Sequence, residues 1–249
     1  MGRSIVITSG KGGTGKTTAC AALSASLACM GERVLCIDMD VGLRNLDLAL
    51  GLSDEAPPDL MDVIEGRVSL EDAVLRHPNV ENLFFLAAPY SAPDGGVPPE
   101  GIDRLIADAG DCFDYCLIDA PAGMGTGFHL ACRAADSAII VVTTDASSYR
   151  DANRCAIELR RMGKTDCRLL VNRIRHMMLR RMNATVDDAV DTVGVRLIGI
   201  IPEDRAVMLA AARGVPLSLA GGSAAEAFER VSRRLRGENV PIKKIRNKF

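Results

Sequence analysis

The sequence predicts an α/β fold: three layers, α/β/α, around a mostly parallel sheet of about seven or eight strands. Three observations carry this. Short β-branched runs alternate with helical stretches along the chain. Several runs are apolar at consecutive positions, as strands buried on both faces are. The first run leads through a glycine-rich loop into an alanine-rich helix, strand–loop–helix in order.

The elements follow from that alternation. Strands are expected at Ser4–Ser9, Val34–Asp38, Leu83–Ala87, Tyr115–Asp119, Ala138–Thr143, Arg168–Asn172 and Leu197–Ile200. Helices are expected at Lys16–Met30, Pro99–Ala109, Thr126–Ala135, Ser147–Met162, Asn183–Val193, Asp204–Arg213 and Ser223–Leu235. Ala88–Pro99 reads as a Pro/Gly-rich surface loop. No linker or internal repeat divides the chain. Residues 1–236 are expected to form one domain, followed by a short basic amphipathic tail over 237–249. Right-handed crossovers put the strand C-termini, and any ligand, along one edge.

Composition narrows the function. The chain has 249 residues, 48% apolar and 25% charged, enough to bury a sizeable core. Its net charge of −2 is not that of a polycation. Aromatics are 4% with no Trp, so stacking platforms for single-stranded nucleic acid are not expected. No apolar run reaches the roughly 18–20 residues that span a bilayer, and no signal peptide opens the chain. Val6 stands where N-myristoylation wants Ser or Thr. The eight cysteines form no CxxC pair, which predicts reduced, buried thiols in a cytosolic protein and no zinc site. The net charge hides asymmetry. Residues 160–181 carry eight basic side chains against one acid, and residues 228–249 carry eight against two.

The strongest motif is Gly10-Lys11-Gly12-Gly13-Thr14-Gly15-Lys16-Thr17-Thr18, a complete G-x-x-x-x-G-K-[ST] phosphate loop between a strand and a helix. Its glycines let successive N–H groups turn inward on phosphate oxygens, and the helix N-terminus adds positive potential. Lys16 supplies a point charge for the β/γ-phosphates and the Thr17 hydroxyl a ligand for Mg²⁺. The fold is therefore P-loop NTPase-like. Asp38 and Asp40 close the second strand (CIDMD), and Asp119 closes a later one (YCLID). Carboxylates at that edge face the nucleotide crevice and hold Mg²⁺ directly or through water, and Asp40 is placed to orient the attacking water.

Lys11, directly after the first loop glycine, makes the segment KGGTGKTT. That resembles the deviant Walker A motif of the MinD/ParA ATPase family. IDMDVGLRNLDLALGL, IDAPAGMGTG, SSYRDANR, VNR and IPED are similar to further segments of its division-site branch, in the same order over about residues 3–220. The resemblance implies slow, Mg²⁺-dependent hydrolysis of ATP to ADP and phosphate by an ATP-bound homodimer. It makes Lys11 the signature lysine that reaches the partner's phosphates, Asp40 the catalytic switch-one carboxylate and Asp119 the Walker B-type residue. It makes Asp151 the carboxylate that engages Lys11, and it puts the Gly123 N–H near the γ-phosphate. Asn172 would bond the adenine edge, with Pro202 packed nearby. It also implies a MinC-like division inhibitor and an ATPase activator of the MinE-like or topological-factor type.

Members of that branch end in an amphipathic helix that binds membrane when ATP dimerises the protein. Here Ile242, Ile245 and Phe249 fall on one helical face, with Lys243, Lys244, Arg246 and Lys248 around them, and Pro241 suits a first helical turn. The expected location is cytoplasmic, and peripheral on the inner face of the membrane when ATP-bound. Two alternatives share the motif: a ParA-type partition ATPase cycling on nonspecific DNA, with the 160–181 block as its handle, and a flagellar-number regulator, which usually carries an N-terminal extension. Nucleic acid is not the expected partner.

Overall fold

In a computed structural model, residues 2–53, 55–91, 93, 96–175 and 185–242 are described. Eight strands form a single sheet: β1 (Arg3–Thr8), β2 (Val34–Asp38), β3 (Leu75–Arg76), β4 (Leu83–Leu86), β5 (Tyr115–Asp119), β6 (Ser137–Val142), β7 (Cys167–Ile174) and β8 (Arg196–Pro202). Their order is β3-β4-β2-β5-β1-β6-β7-β8. Every pairing is parallel except β3 with β4. The seven expected strands are all present. The eighth, β3, is two residues long and carries no periodicity that a sequence could display.

The described helices are α1 (Lys16–Cys29), α2 (Asn45–Leu50), α3 (Leu60–Ile64), α4 (Leu70–Ala73), α5 (Pro99–Cys112), α6 (Thr126–Arg133), α7 (Ala146–Arg161), α8 (Val186–Val193), α9 (Arg205–Ala212), α10 (Leu217–Ala220) and α11 (Ser223–Leu235). The first residues of the expected Asn183–Val193 helix lie outside the described residues. Two apolar clusters cover the two faces of the sheet. Val6, Leu35, Ile37, Ile118 and Ile140 pack with α3, α5, α6, α7 and α8. Ile5, Ile7, Cys36, Leu117 and Val141 pack with α1, α2, α9, α10 and α11. Neighbouring residues of one strand thus feed opposite cores, which explains their consecutive apolar runs. Helix α1 is buried on most sides, and its alanines let it approach both the sheet and α11.

Six of the eight cysteines are buried and all eight are free thiols. Burial pushes the Cys116 and Cys155 thiols up to about 12, which makes them inert core residues. Among the described residues no helix is long and apolar enough to cross a membrane.

One buried side chain ties helix α2 to the β3–β4 turn. His77 lies 2.9 Å from the Leu50 carbonyl through Nε2, and Nδ1 accepts the Asn79 N–H at 3.1 Å. That pattern requires the neutral ring with its proton on Nε2. Burial lowers the His77 pKa, against the pull of the Leu50 carbonyl. The unfolded chain takes up this proton near pH 6.5, before the folded one does. The contribution to stability is complete above that value and is lost as pH falls below it. His77→Ala should cost roughly 1–3 kcal/mol at neutral pH by leaving both backbone groups unpaired. Thermal unfolding of both proteins between about pH 5 and 8 should show the gap closing on the acid side.

Candidate nucleotide and magnesium site

The phosphate loop joins β1 to α1 at the carboxyl edge of the sheet. Gly13 and Gly15 hold φ of +77° and +91°, a left-handed backbone that a side chain disfavours. Gly10 is required for a different reason. A Cβ there would stand 2.2 Å from the backbone oxygen of Asp151, because α7 passes directly against the loop. Lys16 begins α1 and is 7% exposed. Burial lowers its pKa, while Asp119 and Asp40 pull it back up.

The carboxylates come from strand register. Asp38 and Asp119 are direct partners across β2 and β5. Both are at most 1% exposed. Asp38 accepts the N–H groups of Asp40 at 2.8 Å and Leu46 at 3.3 Å, which fastens the loop between β2 and α2. Burial pushes Asp38 up to about 6. Burial and the charge of Asp38 push Asp119 up to about 7, against Thr17 and Lys16. Asp40 is also raised by burial, with Lys16 opposing.

The Oδ1 of Asp119 is buried with no hydrogen-bond partner. A buried carboxylate oxygen left over, beside a threonine hydroxyl, fits a divalent cation. Among the described residues no group of three or more His, Cys, Asp or Glu forms a metal cage. This combination suits Mg²⁺, which keeps waters and takes one or two protein oxygens together with phosphate. Thr17 and Asp119 are the residues that would hold it, and Mg²⁺ would neutralise phosphate charge there.

Asn172 and Pro202 meet in one pocket of about 540 Å³ that also takes in Thr18 and Arg173. The register of β7 against β8 shifts between Val171 and Ile174, and Arg173 adopts φ +53° in that irregularity. The bulge re-aims two consecutive side chains at the loop. Asn172 Nδ2 donates to the Thr14 carbonyl at 2.9 Å, and Arg173 donates to the Gly13 carbonyl at 3.2 Å. Arg173 also lines a second pocket of about 530 Å³ formed with Gly13, Lys16, Thr17 and Leu48. It therefore lines both pockets beside the phosphate loop. Sequence reasoning missed it, since a positive φ at a non-glycine residue leaves no trace in composition.

Lys11 is brought to a different partner from the expected one. Its Nζ donates to Ser147 Oγ at 2.9 Å and Asp145 Oδ1 at 3.3 Å, at the start of α7. Burial acts to raise the Asp145 pKa, but bonds from Ser147, Thr143, the Ser148 N–H and Lys11 outweigh it and hold the carboxyl well below its usual range. Asp151 packs its backbone under Gly10 and faces Arg154 at 3.8 Å. The structure does not join Lys11 to Asp151. Asp145 was legible as the helix N-cap in TTDASS, which it is through Ser148. Gly123 stands in open space with φ +84°. Arg44 in the first switch also has positive φ, +43°, and its buried Nε and Nη2 lack hydrogen-bond partners.

The described part of the 160–181 block is already engaged within the chain. Arg160 donates to the Gly194 carbonyl, and Lys164 to those of Arg133 and Ala135. Arg161 pairs with Glu158, Arg168 with Asp166 and Arg175 with Glu203. Of the candidate tail residues, Ile242 is described, while Lys243, Lys244, Ile245, Arg246 and Phe249 lie outside the described residues.

Two outcomes test this geometry. In Gly15→Ala the new methyl would stand 2.5 Å from Asn172 Nδ2 at an unfavourable φ. Nucleotide affinity should fall more than about tenfold, by calorimetric titration, while circular dichroism stays native. Asp119, raised when folded, favours the nucleotide-free protein at low pH, and that contribution is lost as pH rises through about 7. Asp119→Asn should therefore unfold at a higher temperature than the parent at alkaline pH without nucleotide, yet lose Mg²⁺-dependent turnover.

Known proteins carry the same frame. The family described as the CobQ/CobB/MinD/ParA nucleotide binding domain matches residues 5–217. The septum site-determining protein MinD of Thermotoga maritima is 37% identical over 97% of this chain and 91% of its own length. That of Bacillus subtilis is 39% identical over 97% and 92%. The Aquifex aeolicus MinC:MinD cell division protein complex superposes with a TM-score of 0.91 at 39% identity, over 97% of this chain and 98% of that one. MinD from Pyrococcus horikoshii complexed with Mg-ADP gives 0.84 at 31% identity, over 94% and 96%. A ParA family ATPase from Chlorobium tepidum, at 20% identity, shares the fold. The chain belongs to the CobQ/CobB/MinD/ParA nucleotide-binding family, and within it to the MinD proteins.

Proposed function

We propose that the chain is a Mg²⁺-dependent ATPase that dimerises on ATP, cycles onto the membrane surface and positions the division site. The observation that carries this is the contrast between the two lysines of one phosphate loop. Lys16 is buried among the chain's own carboxylates and serves the chain's own nucleotide. The side chain of Lys11 is 45% exposed, against Asp145 at 47%. An ion pair that exposed contributes at most about 1 kcal/mol. A partner's phosphates can displace it at small cost.

In this reading Mg²⁺ sits with Thr17 and Asp119, and Asp40 orients the attacking water. The Gly123 N–H serves the γ-phosphate, and Asn172 and Pro202 hold adenine. Lys11 of each protomer stabilises charge on the other's nucleotide. Alone, a protomer is slow because the switches need a partner to order them. Residues 242–249 supply the membrane contact. A MinC-like inhibitor and an activator of MinE-like or topological-factor type are the expected partners, and the protein is cytoplasmic when not on the inner membrane face. The 37–39% identity to MinD proteins is what favours this reading over the DNA-binding alternative.

Lys11→Ala should keep nucleotide binding through Lys16 but lose ATP-dependent dimerisation, by light scattering, and most hydrolysis. Normal turnover would overturn the trans mechanism. ATP, and not ADP, should drive sedimentation with anionic vesicles. Removing residues 242–249 should abolish sedimentation and spare ATP binding, and equal pelleting with either nucleotide would sink the membrane reading.

A further inference from the structure

The last turn of α11 takes hold of the chain that follows it. Gly237, at φ +87°, turns that chain back. Arg233 donates to Glu238 at 2.7 Å. Arg236 reaches the same carboxylate at 3.3 Å and Glu32 at 2.8 Å. Those are ordinary surface pairs. Arg234 between them is different. Its Nε donates to the Val240 carbonyl at 2.7 Å, Nη2 to the Pro241 carbonyl at 2.8 Å and Nη1 to the Ile198 carbonyl at 2.9 Å. Ile198 lies on β8, the edge strand of the sheet. One guanidinium thus spans an edge strand and two consecutive peptide groups of the departing chain. Burial and the neighbouring charge of Arg230 lower its pKa. A planar fork with five fixed donors suits such a task, and a lysine ammonium with three rotating donors suits it less well.

We infer that Arg234 is the positioning residue of the C-terminal segment: it clasps residues 240–241 to the edge of the sheet and sets Ile242 as the point where the membrane-seeking segment leaves the body. The role on the membrane rests on the function proposed above, and the clasp itself does not. The effect acts through tether length. Two segments on one dimer reinforce each other through their effective concentration, which falls with about the −3/2 power of tether length or more steeply. Without the clasp the tether starts after Glu238, which Arg233 and Arg236 hold.

The test uses the full chain and four proteins: the parent, Arg234→Gln, Arg234→Lys, and the parent with Gly-Ser-Gly-Ser inserted between Pro241 and Ile242. Three readouts are taken: the rate of Glu-C cleavage after Glu238, ATP-dependent sedimentation with phosphatidylglycerol vesicles, and ATP affinity. Cleavage after Glu238 needs this segment to open, so its rate follows the unclasped population. Arg234→Gln should be cut at least about tenfold faster than the parent, with Arg234→Lys between them and the insertion protein unchanged. Vesicle binding in ATP should fall by about twofold or more in both Arg234→Gln and the insertion protein, with ATP affinity unaltered. The insertion lengthens the tether while leaving the clasp closed, so a merely structural role for Arg234 would not reproduce that match. Equal cleavage of Arg234→Gln and parent overturns the clasp. Faster cleavage with unchanged ATP-dependent sedimentation overturns the positioning role. If the parent sediments equally with ATP and ADP, the membrane reading fails and the positioning role with it, while the cleavage ratio still decides the clasp.

Discussion

At the carboxyl edge of the sheet, Asp38 and Asp119 face each other across adjacent strands, with the Lys16 ammonium as opposing charge. Burial raises both carboxyls, and the charge of Asp38 raises Asp119 further. Asp38 is compensated by two backbone N–H groups. Asp119 is not, since one of its oxygens has no partner. The pair therefore carries unfavourable electrostatics that a cation and phosphates would relieve. Ligand binding and folding are linked through the same pair.

The loop above that pair has to be held at a fixed height, and side chains from distant strands do this. Asn172 and Arg173 come from the bulged end of β7 and grip the carbonyls of Thr14 and Gly13. Gly15 is glycine partly because Asn172 occupies the space its methyl would need. The residue expected to read adenine thus also braces the phosphate loop. By contrast Lys11 and Asp145 are half exposed, and Arg44 carries strained backbone with unmatched donors. The brace from β7 is buried and hydrogen-bonded, while the Lys11–Asp145 pair is open to solvent.

Much of this was legible in the sequence because burial on both faces writes long apolar runs. The seven runs mark seven strands, and carboxylates ending two of them mark the site. What escaped was structure that depends on few residues or on tertiary approach. The two-residue β3 and the four- to six-residue helices α2, α3, α4 and α10 are too short to show a period. Within the single chain Lys11 meets the start of α7, at Asp145 and Ser147, rather than Asp151 one turn further on, and no sequence pattern shows that choice. A charge count needs correcting for pairs within the chain: the arginines at 160, 161, 168 and 175 each have an acceptor there.

The same correction changes the C-terminal segment. Of the eight basic residues in 228–249, Arg230, Arg233, Arg234 and Arg236 are engaged with Glu226, Glu238, Glu32 and backbone carbonyls. The tail expected from Gly237 is fastened to the body as far as Pro241. The charge left for an anionic surface is therefore about half of what the sequence displays. Each cation near such a surface contributes about 1 kcal/mol. Three apolar side chains add about 1.5–3 kcal/mol each if fully buried, and ordering a short segment subtracts much of that. On the function proposed above, eight available cations would hold a single chain on an anionic membrane whatever its nucleotide, while four would leave one chain marginal and a pair secure. Surface pairing of Arg230, Arg233 and Arg236 with carboxylates, and the carbonyls that occupy Arg234, would then leave membrane residence to dimerisation, and through it to ATP.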